Sequence, residues 1–179
     1  PRSVLEVSSF EGATMDVLMR KYDAEVYGLE PTTLTINAAK KSFPNLAANM
    51  HNCVFENALE FLGDKKFDMI VFSGSFRQNA HPLDSLGIIE NLISDDGYIY
   101  LDEGNFIDDC LSSYTPFEFC AAMNQQKNYY YTLNILLYLF EKFGFEYLSS
   151  LGRHVVDRRG TEANPELYEF PRHSAVLLQ

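Results

Sequence analysis

Glu6, Ser8, Ser9, Phe10 and Gly12 lie within VLEVSSFEGAT (residues 4–14), and Glu30 ends the next apolar run, EVYGLE. Their types and spacing suit holding an organic ligand. An acid inside a short apolar strand, followed by a Ser/Gly-containing bend and a helix, has the form of a ligand loop at a strand's carboxyl end. A carboxylate ending the following strand can accept from both hydroxyls of a ribose, whereas a phosphate site would not want it. Read this way, Glu30 is a strand-end acid whose loss should weaken a ligand while leaving the fold almost untouched. His81 precedes Pro82 in a loop, a natural place for a general base. The basic pair Arg158-Arg159 could grip an anionic group or be plain surface.

Composition narrows the ligand. The chain has 179 residues, 46% hydrophobic and 22% charged, which suits one globular domain. A net charge of −11 argues against a nucleic-acid partner, because the backbone of such a partner demands clustered Lys and Arg. Cys53, Cys110 and Cys120 form no CxxC pair, and the four histidines are dispersed. A disulfide framework and a structural metal site are therefore not expected, and the cysteines read as small buried hydrophobes. With no apolar run near the ~18 residues of a membrane span and no signal peptide, a cytoplasmic protein is the expectation. Val4-Leu5 already reads as core strand, so residues 1–179 are expected to form one domain cut from a longer polypeptide, whose other domains would be its neighbours.

The elements that must position these residues follow from hydrophobic periodicity. Strands are expected at 4–7, 25–31 (EVYGLEP, ending in Glu30-Pro31), 52–56 (NCVFE), 67–73 (FDMIVFS) and 98–103 (YIYLDE), with a turn at Asp95-Asp96-Gly97. Met15, Leu18, Met19 and Tyr22 mark one helix, residues 32–42 a second, and Leu86, Ile89, Leu92 and Ile93 a third. Leu133, Leu136, Leu137 and Phe140 line a late helix that Gly144 stops. Strands alternating with helices predict a doubly wound, Rossmann-like, mostly parallel sheet. The last two strand candidates, 145–151 and 173–179, have no helix between them and so should pair antiparallel.

VLEVSSFEGAT, VYGLEPT, FENALEFL, FDMIVFSGSF and LISDDGYIYLDEGN resemble the successive motifs of class I S-adenosylmethionine-dependent methyltransferases, over about residues 4–105. The nearest flavour is the branch that acts on sugars or small metabolites. The resemblance implies seven strands with the last antiparallel, S-adenosylmethionine as cofactor, and a small-molecule or sugar acceptor. It makes Glu6 the acidic member of the first motif and puts Ser8, Ser9, Phe10 and Gly12 along the methionine part of the cofactor. It gives Glu30 the ribose, Asn57 and Ala58 the adenine edge, and Ser73 with Gly74 a place near the methionine. Tyr129, Tyr130 and Tyr131 fall where that branch carries active-site residues, with Tyr131 and His81 as the catalytic candidates. The sequence departs from the family pattern at Ser8 and Phe10, which replace glycines, at Gln78, where a histidine is often found, and at Gln125-Gln126-Lys127, where the branch carries a histidine-containing stretch.

Two functions remain open on these residues. One is methyl transfer to a small acceptor. The other is a non-catalytic module of the same fold that serves structure, partner contact or cofactor sensing. A nicotinamide oxidoreductase would want GxGxxG after the first strand, and VSSFEG lacks it.

Overall fold

The computed structural model describes residues 1–104, 128–152 and 173–179. Cys110, Cys120, Gln125 to Lys127 and Arg158-Arg159 lie outside the described residues. In chain order the elements are β1 Ser3–Val7, α1 Ala13–Tyr22, β2 Glu25–Leu29, α2 Thr33–Ser42, β3 Met50–His51, α3 Ala58–Leu62, β4 Phe67–Ser73, α4 Pro82–Leu92, β5 Ile93–Gly104, α5 Leu133–Lys142, β6 Tyr147–Gly152 and β7 His173–Leu178. Single 3-10 turns occupy Pro44–Leu46, Phe55–Asn57 and Phe76–Gln78.

The strands form one seven-stranded sheet in the order β3-β2-β1-β4-β5-β7-β6. Neighbours from β3 to β5 run parallel, and β7 pairs antiparallel with both β5 and β6. The winding reverses between β1 and β4, which pair directly with Val7 opposite Phe72. A crevice opens outside the carboxyl ends at such a reversal, because the two connections leave toward opposite faces.

Helices cover both faces, which is why the central strands read as unbroken apolar runs. On one face Val4, Val26 and Val71 pack with Met15, Ile36, Ala39, Leu46 and Met50. On the other, Leu5, Leu29, Ile70, Phe72, Ile99 and Leu101 meet Ala58, Leu62, Leu86, Ile89, Leu92, Leu136 and Phe140. Pro82 at the first turn starts α4, and the Thr132 hydroxyl caps α5 by accepting from the Ile135 N–H at 3.3 Å. Gly144, at φ 84°, lets the chain leave α5 in a left-handed step.

Two expected elements differ. The third strand is Met50–His51, two residues earlier than NCVFE, because only Gly28 and Leu29 of β2 offer it partners. Asn52 instead turns its amide back onto the carbonyls of Glu30 and Pro31, and Phe55 enters a 3-10 turn. Asp95-Asp96-Gly97 does not end an element. β5 already begins at Ile93, and its register with β4 jumps from Phe67–Ile93 to Met69–Tyr98, so the three residues form an irregularity inside the strand.

Candidate functional site

The crevice expected from the winding is present as a cleft with a volume of about 100 Å³, open to solvent. Val7 ends β1 and Ser8 follows it, Leu29 and Pro31 flank Glu30, and Cys53 to Glu56 with Ser75, Gln78 and Asn79 complete the lining.

The loop after β1 is shaped by three left-handed residues, Ser8 at φ 58°, Phe10 at φ 47° and Gly12 at φ 78°. Only glycine takes this conformation without a Cβ penalty, so Ser8 and Phe10 store strain on the order of 1 kcal/mol each. The Ser9 N–H donates to the Leu29 carbonyl at 2.9 Å, and the Gly12 N–H to the Ser9 carbonyl at 2.9 Å. Ser9 itself is buried against β2, where a Cβ added at Gly28 would stand 2.6 Å from its hydroxyl and 2.5 Å from the Met15 sulfur. Gly28 is what allows the loop to lie this close to the sheet. Phe10 points outward and is 66% exposed.

Glu30 is buried at the carboxyl end of β2, and both its oxygens are engaged. Oε2 accepts from the Phe10 N–H at 3.1 Å and Oε1 from the Thr32 N–H at 2.8 Å. The carboxylate therefore joins the first loop to the start of α2. Its removal should therefore disturb the fold, unlike that of a purely ligand-facing acid. A carboxylate has about four acceptor positions, so room remains for ligand hydroxyls.

Glu6 lies beneath the loop with Oε2 buried and without a hydrogen-bond partner. Burial pushes its carboxyl up to about 7, against the opposing effect of hydrogen bonds from the Thr14 side chain and the Met15 backbone. Glu103, near the end of β5, is likewise pushed up to about 7, first by burial. The Phe76 N–H, donating to its Oε1 at 2.6 Å, and the Arg77 guanidinium, with Nε 3.4 Å from Oε2, act the other way.

Both groups have folded values above the 4.5 of an ordinary glutamate, so the folded protein holds protons that the unfolded chain releases. Their contribution is fully present below about pH 4.5 and is lost as pH rises through 7. Each should cost roughly 3 kcal/mol by the alkaline end of that window. Calorimetry between about pH 5 and about pH 8 should show a falling thermal midpoint, and Glu6→Gln or Glu103→Gln should flatten the fall. A midpoint that rises with pH over this range would refute the assignment.

The wall after β4 is braced from several sides. The Ser75 hydroxyl donates to the Val7 carbonyl at 3.1 Å, and the Gly74 N–H to the Asp102 carbonyl at 2.7 Å. Asn128 and Tyr129 both donate their N–H groups to the Arg77 carbonyl, and the Tyr129 hydroxyl donates to the Ala80 carbonyl at 3.0 Å. Tyr131 packs on Phe76, with ring centroids 5.9 Å apart, and its hydroxyl is buried without a partner. Burial raises that hydroxyl's pKa, with Tyr129 and Glu103 adding to the effect.

Ser8 lines the cleft, and Glu30 sits between two lining residues. Glu6, Ser9 and Gly12 lie buried in or below the loop, away from the lining. Asn57 is exposed and Ala58 fully buried, and neither lines the cleft. Ser73 is exposed at the end of β4. His81 is an exposed residue preceding α4, its carbonyl accepting from the N–H and hydroxyl of Ser85. Neither His81 nor Tyr131 lines the cleft. Cys53, Glu56, Ser75 and Asn79 do, and sequence reasoning passed over them. For Ser75 and Asn79 the signal was the polar run SGSFRQNA behind the strongest strand. Among the described residues no group of three or more His, Cys, Asp or Glu could hold a metal, and no helix is long and apolar enough to cross a membrane.

This topology and cleft define a class I methyltransferase-like fold, and solved structures share it. The plantazolicin methyltransferase BamL, crystallised with a desmethylplantazolicin analogue and S-adenosylhomocysteine (SAH), matches at TM-score 0.74 and 17% identity, over 99% of this chain and 76% of its own. An S-adenosylmethionine-dependent methyltransferase from Archaeoglobus fulgidus matches at TM-score 0.73 and 14% identity, over 99% and 85%. One from Clostridium acetobutylicum matches at TM-score 0.73 and 9% identity, over 99% and 83%. No family model and no curated protein matches the sequence. At these identities the likeness establishes the fold.

Proposed function

We propose that this chain binds S-adenosylmethionine in the cleft and transfers its methyl group to a small-molecule or sugar acceptor. The observation that carries the reading is Glu30, a buried carboxylate at the end of β2 beside the switch-point cleft. Solved proteins of the same fold bind SAH, which supports the same ligand here. The sulfonium supplies an electrophilic methyl group, so the difficult chemistry is the cofactor's own.

The chain's residues would orient and shield. Glu30 holds ribose hydroxyls, Ser8 and the strained loop flank the amino-acid end, and the wall from Cys53 to Phe55 receives the flat base. The braced turn at Ser75 to Asn79 faces the reacting end and keeps the acceptor aligned, which is where proximity contributes most.

The non-catalytic reading has one observation in its favour: neither His81 nor Tyr131 lines the cleft, so neither is poised as a base. The test is calorimetric titration with SAH, followed by a methyl-transfer assay on small hydroxylated acceptors. Binding with turnover is expected. Binding without turnover on any acceptor would favour the module, and absence of binding would overturn both.

A further inference from the structure

Glu103 ties the end of β5 to the turn that lines the cleft. The residue is 4% exposed, and its Oε1 accepts from the Phe76 N–H at 2.6 Å. Its Oε2 is buried with no hydrogen-bond partner, yet lies 3.4 Å from Nε of Arg77, the next residue of the same turn. The cleft takes Ser75, Gln78 and Asn79 from this turn, so one carboxyl sits behind three lining residues without lining the cleft itself. The Arg77 backbone is fixed separately, its carbonyl accepting from the Asn128 and Tyr129 N–H groups.

What this carboxyl does depends on its charge. A carboxylate accepts from N–H groups about twice as strongly as a neutral acid, and it attracts a guanidinium that a neutral acid does not. Burial favours the neutral acid, while the Phe76 and Ser75 N–H groups and Arg77 favour the carboxylate, which leaves the group near balance at neutral pH. Around it stand Asp102, beside it on β5, and Tyr131 ahead of α5, whose ring stacks on that of Tyr129. The pairing with β7 sets Ser174 opposite Glu103 and His173 opposite Gly104. We infer that Glu103 is a positioning residue for the cofactor: ionised, it draws the turn from Ser75 to Asn79 into the arrangement that binds, and neutral, it leaves that turn looser. This rests on the proposed nucleoside cofactor. A turn ordered in advance spares the ligand the cost of ordering it, so affinity rises with the charge on Glu103. By linkage, the bound ligand draws a proton off Glu103 in return.

The test follows SAH affinity by calorimetry at about pH 6 and about pH 8. The parent should bind about fivefold more tightly at the higher pH, although its thermal midpoint falls over the same range. A merely structural role would carry affinity down with stability. Glu103→Gln cannot ionise, so it should bind at both pH values about as weakly as the parent does at the lower one. Glu6 and His173 can also change charge near neutral pH, and Glu6→Gln and His173→Gln should each keep the rise. SAH is common to all four proteins, so its own titration cancels in the comparison. Binding heats in buffers of different ionisation enthalpy should show the parent and Glu6→Gln releasing protons near about pH 7, and Glu103→Gln releasing fewer. Parent affinity that stays flat or falls as pH rises, or a rise that survives in Glu103→Gln, overturns the inference while leaving the cofactor reading intact. If Glu103→Gln does not fold, a parent that binds SAH without releasing protons overturns it equally. If the parent binds no SAH at either pH, the cofactor reading falls and this role falls with it.

Discussion

Phe76→Ala should lower stability by about 3–5 kcal/mol, the cost of emptying a large, fully buried aromatic site. The ring sits where three parts of the molecule meet. It packs edge-on against Phe72 of β4 with ring centroids 5.4 Å apart, and tilted against Phe140 of α5 at 5.2 Å and Tyr131 at 5.9 Å. Collapse of surrounding groups is opposed by the sheet on one side and α5 on the other, so much of the cavity should persist. For a chain of this length the midpoint should fall by roughly 10 °C. Ligand affinity should fall with it, because the same turn carries Ser75, Gln78 and Asn79 into the cleft. Tyr129→Phe, which removes only the bond to the Ala80 carbonyl, should cost about 1 kcal/mol. Paired thermal melts decide the matter, and a loss below about 1 kcal/mol for Phe76→Ala would show that the turn is held by its hydrogen bonds alone.

The contrast between these two changes also explains what the sequence made legible. FDMIVFS and YIYLDE are buried on both faces, so their hydrophobicity alone marks them as strands, and the helix before residue 22 follows from period-3.6 spacing. β3 was misplaced because a two-residue strand has no period of its own, and its position is set by the free edge of β2. Asp95-Asp96-Gly97 carries the composition of a turn, yet pairing on both sides of it keeps β5 continuous. Tertiary pairing outweighs local propensity in both cases.

The candidate site divides in the same way. Ser8 and Glu30 follow strands whose ends could be read, so their place at the cleft could be read too. Asn79 had no such marker. It is one polar residue in a polar run, and it faces the cleft only because Phe76 anchors the turn below it and Glu56 holds Ala80 beyond it. The Glu56–Ala80 contact joins residues 24 positions apart, and no local pattern encodes it. Glu103 is similar: its burial under the turn at Phe76 and Arg77 depends on the pairing of β4 with β5.

Glu30→Ala should weaken both the ligand and the fold, and the two losses can be separated. The carboxylate accepts from two backbone N–H groups, those of Phe10 and Thr32, and bonds to a charged group contribute about 1.5–3 kcal/mol each. Alanine leaves both donors without that partner, and the Phe10 N–H belongs to a loop residue already held at φ 47°. Stability should therefore drop by about 2–4 kcal/mol, since water reaching the emptied site recovers part of the loss. Affinity for SAH should fall at least tenfold, roughly 1.4 kcal/mol or more, through lost ribose contacts and a loosened first loop. Glu30→Gln distinguishes these causes. The amide keeps one oxygen for a backbone N–H but presents an NH2 group where the second oxygen stood, so it should retain more of the stability than alanine does. It should still bind SAH poorly, because a ribose hydroxyl loses its charged acceptor. If the glutamine variant binds SAH as well as the parent, Glu30 is a brace between the first loop and α2 and does not hold the ribose.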